Sequence, residues 1–176
     1  KIIKKIFIFL VILMVTCLVA CKGEMSFVYD DKDYNIGEAE LENIKNLQIE
    51  WAGTDTIISS WDGEKIHIYE TLDEGVKEDY MLHYKVVGET LCIEPCKSML
   101  VPNFSFNTKV LYVDIPSSLT LNNLQLKLLS TKATIKDINC SNITVTSVTG
   151  NIILSNVTSS ITEVFTNGGN IDATNG

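Results

Sequence analysis

The chain contains no arginine: all fourteen of its basic residues are lysine, set against twenty-two carboxylates for a net charge of −8. Arginine is the side chain suited to bidentate contacts with phosphates, carboxylates and base edges. Its absence, together with the acidic balance, excludes nucleic acid as a partner. Histidine is nearly missing too, with only His67 and His83. No HExxH or HxxxH spacing brings them together, and a catalytic zinc site needs three protein ligands. There is no Gly-x-Ser-x-Gly elbow and no phosphate-binding glycine loop. The sequence thus carries no cofactor or metal signature, and it is read as not an enzyme. Proline occurs three times and tryptophan twice. No long window carries an apolar stripe of helical period except 36–47.

What remains is largely β pattern. In the last third one motif is written three times: LKLLSTKATI (126–135), ITVTSVTGNI (143–152) and ITEVFTNGGNI (161–171). The first two align at an offset of 17 residues and the third follows 18 to 19 further on. A period near twenty, aliphatic and Thr-rich with Asn/Gly corners, predicts stacked coils. One such coil buries too little to fold alone, so neighbours must supply its ladder bonds and second apolar wall. The expected fold is all-β, a single-chain parallel β-solenoid with coils of about 17–20 residues. The alignment places Ile135, Ile152 and Ile171 in one file, and the coils are expected to run on beyond Gly176.

Upstream, Leu47, Ile49 and Trp51 alternate as a half-buried strand. Ile66 and Ile68 do the same, with His67 turned outward, and the 19 residues from Ile49 to Ile68 match the coil spacing. Leu82, Tyr84 and Val86 pair across a Gly88 turn with Leu91 and Ile93 as a hairpin, with His83 also outward. Leu111, Val113 and Ile115 resume the alternation until Pro116 ends it.

The N-terminus reads as an address. Lys1, Lys4 and Lys5 precede a fifteen-residue apolar run, 6–20, too short for a span of about twenty residues and suited to a signal peptide. Leu18-Val19-Ala20-Cys21 resembles the bacterial lipoprotein processing motif, with a small residue before the thiol that takes the lipid. Residues 1–20 are therefore expected to be a lipoprotein signal peptide and Cys21 the lipidation site, attached by two or three acyl chains. Residues 22–42 are polar and acidic, so 21–42 reads as a tether and 43–176 as the folded domain. The first part of the chain is the acidic one: nineteen carboxylates lie between Glu24 and Asp114, and three lie beyond Ile115.

The segments NLQIEW (46–51), IHIYE (66–70), LCIEPCK (91–97) and VDIP (113–116), with the Thr-Gly-Asn-Ile coils, resemble the bacterial "putative adhesin" domains of unknown function. The resemblance covers residues 41–176. It implies a parallel β-solenoid in the cell envelope, often lipid-anchored, with no established catalysis and no catalytic residues to carry over. Some relatives are similar to accessory proteins of envelope-stress signalling.

Three functional readings follow. The first is a lipid-anchored envelope protein that presents Thr/Asn-lined faces to another envelope protein or a surface glycan. The second is an accessory subunit of an envelope-stress system. The third, a glycan-acting enzyme, needs clustered acids, and the coils offer only Asp137, Glu163 and Asp172; Asp137 and Asp172, 35 residues apart, could share a column with Asn156 between them. Trp51, Trp61 and Tyr69 could offer an aromatic platform for sugars or a partner; Trp51 is expected in the core, and Trp61, beside a turn, is the candidate exposed binding residue. Cys92 and Cys96 lie too far apart along an extended strand for a disulfide. A turn through Glu94-Pro95 would be needed to join them.

Overall fold

The computed structural model describes residues 33–96 and 109–174. The expected signal peptide (1–20) and lipidation site Cys21 lie outside these residues, as does most of the stretch read as a tether. Fourteen strands are present among the described residues, and a 3-10 turn lies at Glu78–Tyr80. They are β1 (Asn35–Ile36), β2 (Ala39–Leu41), β3 (Asn46–Trp51), β4 (Asp55–Trp61), β5 (Ile66–Thr71), β6 (His83–Val87), β7 (Thr90–Glu94), β8 (Val110–Pro116), β9 (Thr120–Ser130), β10 (Lys132–Lys136), β11 (Asn139–Thr149), β12 (Ile152–Ser155), β13 (Ile161–Thr166) and β14 (Ile171–Thr174).

They form two seven-stranded sheets, ordered β1-β6-β7-β3-β9-β11-β13 and β14-β12-β10-β4-β8-β5-β2. Each sheet turns one side toward a shared core. Leu47, Ile49 and Trp51 of β3 are buried, as are Leu111, Val113 and Ile115 of β8 and Ile143 and Val145 of β11. The alternation read from sequence is the pleat itself, successive side chains pointing to opposite faces.

From β3 onward the chain visits the first sheet, crosses to the second and returns. Strands of successive visits therefore lie parallel: β3, β9, β11 and β13 in one sheet, β4, β10, β12 and β14 in the other. The purely parallel expectation is corrected by the other end of each sheet. There β6 pairs antiparallel with β7 and β1, and β5 pairs antiparallel with β8 and β2. The cause of one reversal is local: a connection of two residues, Gly88 (φ 61) and Glu89, closes β6 on β7, and so short a link permits only a hairpin. Residues 35–41, read as tether, instead supply β1 and β2, the outermost strand at that end of each sheet.

The repeat register is also corrected. Leu126 pairs with Val145 and Val145 with Val164, a step of 19, not 17. Ile152 lies against Ile171 but its other neighbour is Ala133, whereas Ile135 pairs with Leu154. A slip of two residues keeps every side chain on its own face, so alternation alone could not separate the two alignments. The corners decide it. Thr131, Gly150 and Gly169 recur at 19; a Cβ on Gly150 (φ 122) would lie 2.2 Å from the Thr131 carbonyl oxygen, and one on Gly169 (φ 143) 2.2 Å from that of Gly150. The interval from Ile49 to Ile68 is coincidental, since β3 and β5 belong to different sheets.

Candidate functional site

The middle of the first sheet's outward side is polar, while exposed Val87, Ile161 and Phe165 stand on its outer strands. The register sets Asn46, Asn123 and Asn142 in line. The Asn123 amide donates to Asn46 Oδ1 at 2.7 Å and the Asn142 amide to Asn123 Oδ1 at 3.1 Å. These amides largely satisfy one another.

The outward side of the second sheet differs. On β5, Ile66 and Ile68 face the core and leave His67 and Tyr69 outside; on β8, Leu111 and Val113 do the same for Tyr112 and Asp114. Antiparallel pairing sets Tyr69 opposite Tyr112 and His67 opposite Asp114. Trp61 closes β4 beside them. The result is a continuous stack. Trp61 and His67 have ring centroids 5.6 Å apart at 32°, His67 and Tyr69 4.7 Å at 23°, and Tyr69 and Tyr112 4.7 Å at 3°. The Tyr69–Tyr112 pair contributes about 0.5–1.5 kcal/mol beyond area burial.

The stack is held at its edges. Trp61 Nε1 donates to the Lys65 carbonyl at 3.0 Å. The turn at Gly63 folds onto the indole so closely that a Cβ there would fall 2.2 Å from a ring carbon. His67 Nε2 lies 2.6 Å from Glu38 Oε1 and its Nδ1 3.6 Å from Asp114 Oδ2. Ser59 Oγ donates to Asp114 Oδ1 at 3.5 Å. Burial, then the Asp114 charge, pushes the Tyr69 phenol up from its ordinary value. Because Tyr69 is stacked between His67 and Tyr112, with Trp61 tilted against His67, a partner meets ring edges, phenol tips and carboxylates. This is a stiff surface that loses little side-chain entropy on contact.

A cleft of about 540 Å³ opens at the same end of the sheet, lined by Leu41, Glu42, Ile44, Lys65, Pro116 and Leu119 among others. It touches the stack through Lys65, and through Pro116, which pairs with Trp61. Its size falls in the range of small-molecule sites. Lys65 and Glu42 form an ion pair 2.7 Å apart across it.

Of the residues singled out by sequence, Trp61 is half-buried within the stack and Trp51 is wholly buried. His67 does point outward. His83 does not: it is 4% exposed, with Nδ1 2.8 Å from the Met81 carbonyl oxygen. Cys92, Cys96 and Cys140 are thiols, so the Cys92–Cys96 bridge is not formed. Cys92 stands outward on β7 and Cys96 is buried just past its end. Asp137 and Asp172 do not share a column: Asp137 Oδ1 accepts from the Asn156 amide at 2.7 Å, and Asp172 pairs with Ile153. Among the described residues, no group of three or more His, Cys, Asp or Glu is arranged to hold a metal ion.

One pair had no signal in the sequence. Lys109, 0% exposed, places Nζ 2.6 Å from Glu70 Oε2, 4.7 Å from the centre of the Trp51 ring, and in a hydrogen bond to the Pro95 carbonyl. Glu70 Oε1 in turn accepts from the Leu82 N–H. Burial pushes the Glu70 carboxyl up and the Lys109 ammonium down. The pair sits inside the fold, away from the outer face.

A search among curated proteins finds no match. Among solved structures, a "putative cell adhesion protein" from Clostridium sporogenes is 12% identical, with a TM-score of 0.46 over 82% of this chain and 96% of that one. A "putative adhesin" from Bacteroides fragilis is 14% identical, with a TM-score of 0.39 over 81% and 98%. A family model described as Toastrack DUF4097 matches residues 44–176, which take in every strand from β3 onward. The chain belongs to the DUF4097 Toastrack family.

Proposed function

We propose that this protein is a non-catalytic, lipid-anchored component of the cell envelope. It makes adhesive or protein contacts through the outward face of its second sheet. The observation that carries this reading is the ordered aromatic stack from Trp61 to Tyr112, edged by Glu38 and Asp114. Aromatic side chains with a polar tip dominate contact energies between proteins. The first sheet's outer amides are by contrast largely occupied with one another. The scattering of Asp137, Glu163 and Asp172 over different rows and sheets supports a binding role over glycan cleavage, which needs two carboxyls about 5–10 Å apart. Cys21 carries the anchor in this reading.

Two measurements test it. Mass spectrometry of the native N-terminus reads a diacylglyceryl thioether on Cys21; an unmodified thiol removes the anchor. Capture of envelope proteins by the membrane-extracted chain should fall at least tenfold on Tyr69→Ala or Tyr112→Ala. Equal capture by both variants and wild type refutes the contact face.

A further inference from the structure

Resting on that reading of the outer face, we infer that its partner is an extended basic segment of another protein. The segment lays lysine or arginine side chains along the carboxylates beside the stack and sets one apolar side chain into the neighbouring cleft. The two features are continuous. β2 pairs with β5 so that Glu40 lies opposite His67 and Leu41 opposite Ile66. His67 stands between Glu38 and Asp114. Just before β5, Lys65 meets Glu42 at the rim of the cleft. From Lys65 to His67 is two residues, about 6.6 Å along a strand, and the same-face side chains of an extended partner repeat at that spacing.

The charge along this edge has one sign. Glu42, and behind it Glu40 and Glu64, push the Lys65 ammonium up from its ordinary value, so one lysine answers to three carboxylates. Glu38 and Asp114 share a single imidazole. Five carboxylates thus face one lysine and one histidine, and the edge stays acidic whether or not that histidine carries a proton. Lys45, also on the cleft's rim, is occupied with Glu89 at 2.5 Å. Lys132 and Lys136 belong to β10, two strands beyond β8. A cationic partner is therefore the complementary one, and its charge steers the approach. The cleft supplies what charge alone does not. Leu41, Ile44, Ile66 and Leu119 line it, with Ile44 and Ile66 buried, so an apolar side chain entering it leaves water and anchors the contact.

The test titrates the full chain, in detergent, with three labelled peptides read by fluorescence anisotropy. The first carries lysines spaced by glycine around a single leucine, the second has glycine for the leucine, and the third has glutamate for the lysines. The first should bind about tenfold more tightly than the second, the effect of burying one leucine. It should also bind about tenfold more tightly than the third, and lose that margin as salt is raised. Glu40→Lys, on the exposed side of β2, should weaken the first peptide about tenfold. Ser118→Trp, filling the cleft from its exposed rim, should bring the first peptide down to the level of the second. Both positions are exposed, and a cooperative melt checks that each variant is folded. Equal binding of the three peptides, or of wild type and both variants, overturns the proposal. So does tighter binding of a glucosamine oligomer than of the first peptide, which would assign the edge to a cationic glycan. If Tyr69→Ala still loses envelope capture in that case, the contact face stands and only the chemistry of its partner falls.

Discussion

Lys109 and Glu70 form an ion pair inside the protein, and the strength of their dependence on each other can be worked out from their surroundings. Lys109→Met removes the cation 2.6 Å from Glu70 Oε2 and leaves the carboxylate with the Leu82 N–H alone. Breaking a buried pair from one side costs about 3–5 kcal/mol. With a urea dependence near 2 kcal/mol per molar, the unfolding midpoint falls by about 2 M. Glu70→Gln keeps an acceptor for the Leu82 N–H but strands the ammonium against the Pro95 carbonyl and the Trp51 ring, at a similar cost. The double variant carries no charge and retains the Leu82 contact, so it should lie within about 1 kcal/mol of wild type or above it. The pH dependence follows the same chemistry. Glu70's carboxyl is raised in the fold, so its contribution is present below the ordinary carboxylate range and lost as pH rises through the folded value. Lys109's ammonium is lowered, so its contribution is present above the ordinary lysine range and lost as pH falls through the folded value. The pair thus costs stability in the neutral range between, and the double variant should flatten the profile there. Urea unfolding by tryptophan fluorescence across pH reads all of this. A single substitution costing under about 1 kcal/mol, or a double costing the sum of the singles, would refute the account.

Three further outcomes are expected. Gly150→Ala drives a Cβ onto the Thr131 carbonyl at a positive φ and should lower stability by about 2 kcal/mol or more, a melting point about 4–8 °C lower; an unchanged melting point contradicts the corner geometry. Leu126→Ala and Val145→Ala empty adjoining fully buried positions; the leucine should cost about 2–5 kcal/mol, and the two losses should not sum, because the side chains are register partners. Cys92 and Cys140 should alkylate more slowly than a small thiol at pH 8, since burial raises both thiols; rates equal to free cysteine would count against this.

Alternation identified the strands because it is the physical signature of a pleat with one wet side, and it placed Leu47, Ile49, Trp51, Leu111 and Val113 correctly. It could not fix the repeat step, since Ile135 opposite Ile152 and Ile135 opposite Leu154 both satisfy it. The glycine corners held that information. The antiparallel strands were half legible: the Gly88 hairpin was visible, but β5 against β8 is a pairing across some forty residues with no local trace. His83 reads as outward by the same alternation that places Leu82 inward, yet both are buried near the end of the sheet. Trp61 and Tyr69 were visible as aromatics but not as one stack. His67 and Tyr112 join them only through register. Lys109 looks like any surface lysine until the Glu70 carboxylate, thirty-nine positions earlier, is brought beneath it.

The nineteen-residue step makes the molecule a ruler graduated in whole divisions. Copying residues 139–157 once would insert a division between β11 and β13, extending the body by one strand spacing, about 4.8 Å, at unchanged girth. The hydrophobic interior would simply gain another slice. The aromatic stack, on β4, β5 and β8, would notice nothing, so the length of the body and the chemistry of that outer face can vary independently.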